Sequence, residues 1–167
     1  AVAKVLGMEW NCFKKGVAVN MPGGRSQRFT LLNDVVILDE TYNAAPEAMV
    51  AALNLLAETP GKRRIAVLGA MKELGEKSHQ LHRLVGETVR SLYLDALMVL
   101  VNCEDAQTIA QSAKGIPIQC YSSHNELANG LKQYLRDGDR ILFKAAHSVG
   151  LDKVVSQLRE DFSKSAA

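Results

Sequence analysis

The chain has 167 residues, of which 47% are hydrophobic and 23% charged, and this is enough to bury the core of one ordinary domain. The net charge is only +2 and the positive residues are scattered apart from Lys62-Arg63-Arg64, which argues against a nucleic-acid-binding face, and the apolar runs are too short to cross a bilayer. The three cysteines form no C-x-x-C pair and leave an odd count, which is typical of reduced thiols in a cytoplasmic protein.

The first residues run from Ala1 directly into the apolar stretch "AVAKVLGM". We expect residues 1–16 to be the last helix and turn of a preceding domain, with "MPGGR" at 21–25 as the linker, because Pro and paired Gly are common at domain joints. This predicts a boundary between residues 1–24 and a main domain over residues 25–167. An ordinary N-terminal helix is the alternative.

The elements that follow alternate between strands and helices. Residues 29–32 and 35–38 are short runs of strand-forming residues on either side of Asn33-Asp34, a pair suited to a hairpin. Four later apolar runs also predict strands: residues 65–68, 96–101, 116–121 and 140–143.

Helices are predicted between these strands because apolar residues recur there at helical spacing. The first begins at Pro46, which a first helical turn tolerates, and the fourth begins with a capping box of Ser123 and Glu126. The fourth helix is predicted from 123 to 135. The apolar stripes of the other four are Met49, Ala52, Leu53 and Leu56; Leu81, Leu84, Val85, Val89 and Leu92; Ala106, Ile109, Ala110 and Ala113; and Leu151, Val154, Val155, Leu158 and Phe162.

This order predicts an α/β fold with a doubly wound, mostly parallel sheet. Helices cover both faces of the sheet, and the first hairpin adds an antiparallel edge.

The segment "IAVLGAMKELGEKS" at 65–78 has the outline of a Walker phosphate loop but departs from it. Five residues separate Gly69 from Gly75 where a Walker loop has four, and Glu76 stands before Lys77. A carboxylate about 4 Å from an anion would cost about 1–4 kcal/mol. The loop does follow a predicted parallel strand, the position at which open sheets bind ligands.

Lys72 and Glu73 near the tip of this loop could hold a zwitterion, one contacting its carboxylate and the other its ammonium group. A solvated charged loop is the alternative. His79 and His82 lie three residues apart on the next helix, but no second ligand pair follows, and we predict no metal site.

"DETYNAAP" at 39–46 also lies between a strand and a helix. Tyr42 could stack on a purine or sugar, Asp39 or Glu40 could accept ribose hydroxyls or hold a water-bound cation, and Asn43 can donate and accept hydrogen bonds. Turn and capping chemistry, with Tyr42 closing the core, is the alternative.

"FKAAHSVG" at 143–150 is the third such junction and is expected to carry Lys144 and His147 outward. Lys144 could meet a phosphate or carboxylate, and an exposed lysine with no partner is the alternative. We expect all three junctions to converge on one cleft.

Three stretches, "LDETYNAAPEAM", "VLGAMKELGEKSHQLH" with Val85-Gly86 following, and "GDRILFKAAHSVGLDKVV", resemble in this order three signatures of the C-terminal domain of the Mur ligases. The likeness runs from the "GGR" at 23–25 to the last helix. It implies a Rossmann-like domain that packs on a central ATPase domain of the same chain. It also implies a cytoplasmic, ATP-dependent ligase of peptidoglycan synthesis that adds D-Ala-D-Ala to UDP-N-acetylmuramoyl-tripeptide through an acyl phosphate.

The resemblance also implies roles for residues by position. Arg25, Asp39, Tyr42 and Asn43 would contact the nucleotide. Glu73, Ser78 and His82 match the second signature and Lys144 the third, and these four residues would bind the substrate. Lys72, selected above for its charge, completes the predicted substrate-binding residues. The phosphate loop, the Mg²⁺ ligands and the catalytic residues are assigned to the central domain, so these 167 residues alone are expected to be inactive.

The chain departs from the family pattern at three places. Glu40 stands where a second Asp is usual, and Ala45 where Asn is usual. After Lys144, Ala145-Ala146-His147 replaces the usual Gly-Ser-Arg, which removes a bidentate guanidinium contact.

Two other functions stay open at this point. One is a free-standing, non-catalytic α/β module that binds a nucleotide or a dipeptide. The other is a related ligase of the same superfamily, similar to folylpolyglutamate synthase, although the "TYNAAP" stretch favours the D-Ala-D-Ala enzyme.

Overall fold

The computed structural model describes residues 23–164, which contain six strands and five α-helices. The predicted helix of a preceding domain and the start of the linker, residues 1–22, lie outside the described residues. The strands are β1 Gln27–Thr30, β2 Val36–Glu40, β3 Arg63–Leu68, β4 Ala96–Leu100, β5 Ile118–Tyr121 and β6 Asp139–Lys144, and the helices are α1 Pro46–Glu58, α2 Ser78–Ser91, α3 Glu104–Ser112, α4 His124–Tyr134 and α5 Leu151–Lys164.

The six strands form one sheet in the order β1-β2-β6-β3-β4-β5. Only β1 and β2 are antiparallel, and every other pair is parallel. The predicted fold class and its antiparallel edge hairpin are therefore confirmed. Every residue of β4 and of β6 is buried, as expected for strands covered on both faces.

The helices divide into two layers because the chain reverses direction across the sheet. The connections from β2 through β3 and β4 to β5 all advance towards one edge, whereas the connection from β5 to β6 returns to the middle. Since such crossovers are right-handed, α1, α2 and α3 cover one face and α4 and α5 the other. Contacts between α1 and α2, α2 and α3, and α4 and α5 agree with this arrangement.

The hairpin connection is longer than the predicted Asn33-Asp34 turn. Leu31 N–H donates to Val35 O at 2.8 Å around a short 3-10 turn, and Asn33 and Asp34 both have positive φ. This wider turn uses Leu31 and Leu32, so β1 begins and ends two residues earlier than predicted.

The buried stripe of α2 is also rotated from the predicted one. Leu84 is 44% exposed, whereas His82 and Gly86 face the core beside Val85 and Val89. The predicted stripes of α1 and α5 are confirmed. Among residues 23–164, no helix is long and apolar enough to span a membrane.

Candidate functional site

Three loops leave one rim of the sheet. We name them the first loop (residues 41–45, after β2), the second loop (69–77, after β3) and the third loop (145–150, after β6). The strand register places Glu40 beside Lys144 and Lys144 beside Leu68, so the three carboxyl ends are adjacent. The three loops thus leave one rim side by side, because β6 lies between β2 and β3, and their convergence on one cleft stays a prediction.

Hydrogen bonds join the first loop to the residues that precede β1. The buried Asp39 carboxylate accepts hydrogen bonds from the Thr41 backbone N–H at 3.1 Å and the Thr41 hydroxyl at 2.7 Å. Tyr42 N–H donates to Gly24 O at 2.9 Å, and Gly24 N–H donates to the Gln27 side chain at 3.2 Å. Asp39 thus shapes the loop that presents Tyr42.

A cationic and aromatic group lies on this loop. The Arg25 guanidinium is 3.9 Å from the centroid of the Tyr42 ring, and the His147 ring lies 5.6 Å from the same ring at an interplanar angle of 32°. Tyr42 and His147 line an open cleft of about 420 Å³ that continues past Asp39 and Thr41 to the surface of α5. The Tyr42 and His147 rings suit a heteroaromatic ring, while Asp39 and Asp152 also line the cleft.

The expectation that Lys144 points outward is wrong, because its side chain is buried and has partners. Its Nζ donates to Asn43 O at 3.0 Å and lies 3.9 Å from the Glu40 carboxylate. Burial lowers the pKa of Lys144, and the nearby Glu40 opposes that shift. The ammonium group therefore connects β6 to the first loop, and its contact with a substrate stays a prediction.

The base of the second loop is fixed on two sides. Gly69 N–H donates to Lys144 O at 3.2 Å, and Ala146 N–H donates to Ala70 O at 3.0 Å, which joins the second loop to the end of β6. Beyond this base, Lys72 and Glu73 are exposed at the tip, and Glu73 has a φ of 63°.

His82 lies beneath the second loop and has no exposed surface. Its Nε2 accepts the Met71 N–H at 2.9 Å, and its Nδ1 lies 2.7 Å from Ser78 O. Both ring nitrogens are therefore used inside the protein, and His82 supports the loop rather than lining its surface. His79 is exposed, and within residues 23–164 no three His, Cys, Asp or Glu side chains come together as a metal site.

The sequence reasoning missed Asp105, which contacts the start of α2, and His124, which contacts the third loop. Ser78 Oγ donates to the Asp105 carboxylate at 2.8 Å, and His124 Nε2 donates to Val149 O at 2.7 Å in the third loop. Each lies in the first turn of a helix that follows a parallel strand, α3 after β4 and α4 after β5. That position, at the same rim as the three loops, was the available signal.

The model of the family described as "Mur ligase, glutamate ligase domain" matches residues 24–147. Among similar proteins, the UDP-N-acetylmuramoyl-tripeptide--D-alanyl-D-alanine ligase of Synechocystis sp. is 50% identical over 158 residues, covering 95% of this chain and 35% of that protein. The Escherichia coli protein of the same name is 29% identical over 164 residues, covering 96% and 35%.

A similar solved structure is that of MurF ligase from Thermotoga maritima in complex with ADP. It has a TM-score of 0.82 and 32% identity, over 98% of this chain and 36% of that one. The chain thus spans about a third of the length of the proteins it matches.

Proposed function

Because the chain belongs to the Mur ligase family, we propose that it is the C-terminal domain of the ligase that adds D-Ala-D-Ala to UDP-N-acetylmuramoyl-tripeptide at the expense of ATP. The names of its relatives support this choice within the family. The observation that carries it is the common rim of β2, β6 and β3, where a cleft beside the Arg25–Tyr42 pair and a charged loop tip lie on neighbouring strands. The activity is proposed for the whole ligase, which packs this domain on a central ATPase domain.

In the proposed reaction, ATP converts the carboxylate of the tripeptide into an acyl phosphate. The amine of D-Ala-D-Ala then attacks the carbonyl carbon, the amide bond forms, and phosphate leaves with the electrons of the C–O bond while the amine loses a proton. A free carboxylate is a poor electrophile, so this activation is required. The part of this domain is to position the amine and the nucleotide and to exclude water from the activated carbonyl.

The nucleotide side of the rim is proposed to be the cleft at Tyr42. Arg25 lies over the Tyr42 ring and places a permanent positive charge beside the cleft. His147 offers one ring where the family signature has a guanidinium, so it can make a single hydrogen bond but not a bidentate pair. Asp39 and Asn43 act here by shaping the first loop. The Asp39 carboxylate accepts two hydrogen bonds from Thr41, and the Asn43 carbonyl oxygen accepts one from Lys144.

The amine side is proposed to be the tip of the second loop. D-Ala-D-Ala is a zwitterion, so a lysine and a glutamate side by side match its two charges, with Lys72 at the carboxylate and Glu73 at the ammonium group. Both side chains are exposed, as a domain surface that receives a substrate requires. Mg²⁺ is assigned to the central domain, as the resemblance to the family implies.

The test is phosphate release from ATP by the full-length ligase, given the tripeptide precursor and D-Ala-D-Ala. We expect turnover by the full-length protein and none by the 167-residue chain. Tyr42→Ala should raise the KM for ATP and Glu73→Gln the KM for D-Ala-D-Ala. Tyr93→Ala should change neither, because Tyr93 is 88% exposed and follows α2 at the opposite end of the sheet.

Two outcomes would contradict the proposal. A full-length ligase that hydrolyses or transfers no phosphate with D-Ala-D-Ala would refute the substrate assignment. Turnover by the 167-residue chain, or tight binding of ATP or D-Ala-D-Ala by that chain in isothermal titration, would favour a self-contained module instead.

A further inference from the structure

Asp105 lies outside all three family signatures and outside the three loops, yet it contacts the start of the helix that follows the second loop. Its Oδ2 accepts the Ser78 hydroxyl at 2.8 Å across the α2–α3 interface. We propose that Asp105 is a positioning residue for the amine substrate, acting through Ser78 and His82 on the tip of the second loop. This inference rests on the proposed function of that tip.

The hydrogen bonds of His82 define the direction of this route. A carbonyl oxygen can only accept, so the Nδ1 that lies 2.7 Å from Ser78 O carries the ring proton. Nε2 is then left with a lone pair, and this lone pair accepts the Met71 N–H at 2.9 Å. The buried imidazole therefore transmits the position of Ser78 to the backbone of Met71.

Met71 is the residue from which the tip departs. Gly69 and Ala70 are held by β6 and the third loop, and Met71 is held by His82, whereas Lys72 and Glu73 extend into solvent. Glu73 has a left-handed backbone, a conformation that a non-glycine residue keeps only when its surroundings impose it. A shift of Met71 would therefore redirect both charged side chains.

Asp105 determines where Ser78 lies relative to α3. Ser78 is the first residue of α2, and its hydroxyl donates to Asp105 Oδ2 on α3 at 2.8 Å. The second carboxylate oxygen of Asp105 is 3.9 Å from His82 Nδ1, on the side where the ring carries its proton. The carboxylate thus favours the tautomer that leaves Nε2 free to accept from Met71.

The experiment uses the full-length ligase with Asp105→Ala, Asp105→Asn and a matched control, Glu104→Ala. Glu104 is the adjacent, exposed acid in the same first turn of α3, so its removal changes the charge at that helix terminus equally. The measurements are the KM values for D-Ala-D-Ala and for ATP, and the hydrogen-exchange rate of the Met71 amide.

We expect D105A to raise the KM for D-Ala-D-Ala about tenfold, which corresponds to about 1.4 kcal/mol, with the KM for ATP within twofold of wild type. Exchange at Met71 should accelerate at least about tenfold, because its acceptor is displaced. D105N should stay within about twofold of wild type, since its amide oxygen still accepts the Ser78 hydroxyl, and so should E104A.

An unchanged KM for D-Ala-D-Ala in D105A would overturn the proposal, and so would equal increases for both substrates, which would indicate a general loss of structure. Equal effects of E104A and D105A, or of D105N and D105A, would overturn it as well. If the wild-type ligase does not use D-Ala-D-Ala, the proposed function fails separately, and Met71 exchange in D105A against E104A decides whether Asp105 positions the loop.

Discussion

Replacing Gly24 with alanine should disturb the nucleotide side of the rim from the linker. Gly24 has a φ of +73°, and a Cβ at this position would lie 2.6 Å from Thr41 Oγ1 and 2.9 Å from the Tyr42 backbone nitrogen. The Thr41 hydroxyl cannot turn away freely, because it donates to the buried Asp39 carboxylate. The alanine must therefore push the linker and the first loop apart.

The expected change in the free energy of unfolding has three contributions, two unfavourable and one favourable. A left-handed backbone costs an alanine about 1–2 kcal/mol. Loss of the hydrogen bond from Tyr42 N–H to Gly24 O costs a further ~0.5–1.5 kcal/mol. Alanine also lowers the conformational entropy of the unfolded chain, which stabilises the folded state by about 0.4–1 kcal/mol. We expect Gly24→Ala to lower the free energy of unfolding by about 2 kcal/mol.

Gly23→Ala is a matched control on the adjacent residue. A Cβ at Gly23 meets no atom within 4 Å. Thermal unfolding of the 167-residue chain should show a Tm lower by about 4–8 °C for Gly24→Ala, with Gly23→Ala within about 0.5 kcal/mol of wild type. In the full-length ligase, Gly24→Ala should also raise the KM for ATP. Equal Tm values for the two variants would refute the reasoning.

Three further predictions concern the frame that carries the loops. Gly86→Ala should lower the free energy of unfolding by about 1–3 kcal/mol, because the added Cβ would lie 2.3 Å from Ile109 O. Urea denaturation measures this loss, and Gln80→Ala, at an exposed position of the same helix, should leave the midpoint unchanged. Equal midpoints for the two variants would contradict the prediction. Asp139→Ala should lower the free energy of unfolding by about 3–5 kcal/mol, because it removes the two carboxylate oxygens to which Arg63 donates at 2.8 and 2.6 Å. Asp137→Ala, at an exposed position nearby, is the control, and an equally small loss for both variants would contradict the prediction. Burial lowers the pKa of Lys144, so the unfolded chain holds this proton to a higher pH than the folded one, and the contribution of Lys144 to stability rises as the pH increases from the folded pKa to about 10.4. The difference in unfolding free energy between wild type and Lys144→Met should accordingly grow between pH 8 and pH 10.5, and a constant difference would show that the folded pKa is not lowered.

The elements could be predicted from the sequence, but their order across the sheet could not. Helical and strand spacing are local properties, and they located the buried faces of α1 and α5. The position of β6 between β2 and β3 depends on which strand edges pair over long sequence distances. That the three loops leave one rim was predictable nevertheless, because all carboxyl ends of parallel strands share one rim.

The site residues divide in the same way. Tyr42 and Glu73 could be selected because aromatic and charged residues follow apolar strands there. The burial of Lys144 and His82 could not be anticipated from residue type, since both are polar and each is buried only because a specific partner meets it, Asn43 O and Met71 N–H. The position of Asp105 in the first turn after β4 could be read from the sequence, but its contact with Ser78 depends on the close approach of α2 and α3.

The place of β6 in the sheet has a consequence for biosynthesis. β2 and β3 are translated early, yet each pairs in the folded sheet with β6, the last strand to leave the ribosome. A nascent chain that stops before Asp139 therefore exposes two apolar strand edges, which are sites for aggregation. Insertion of the last strand joins the two halves of the rim, so the assembly of the site and the completion of the sheet are one event.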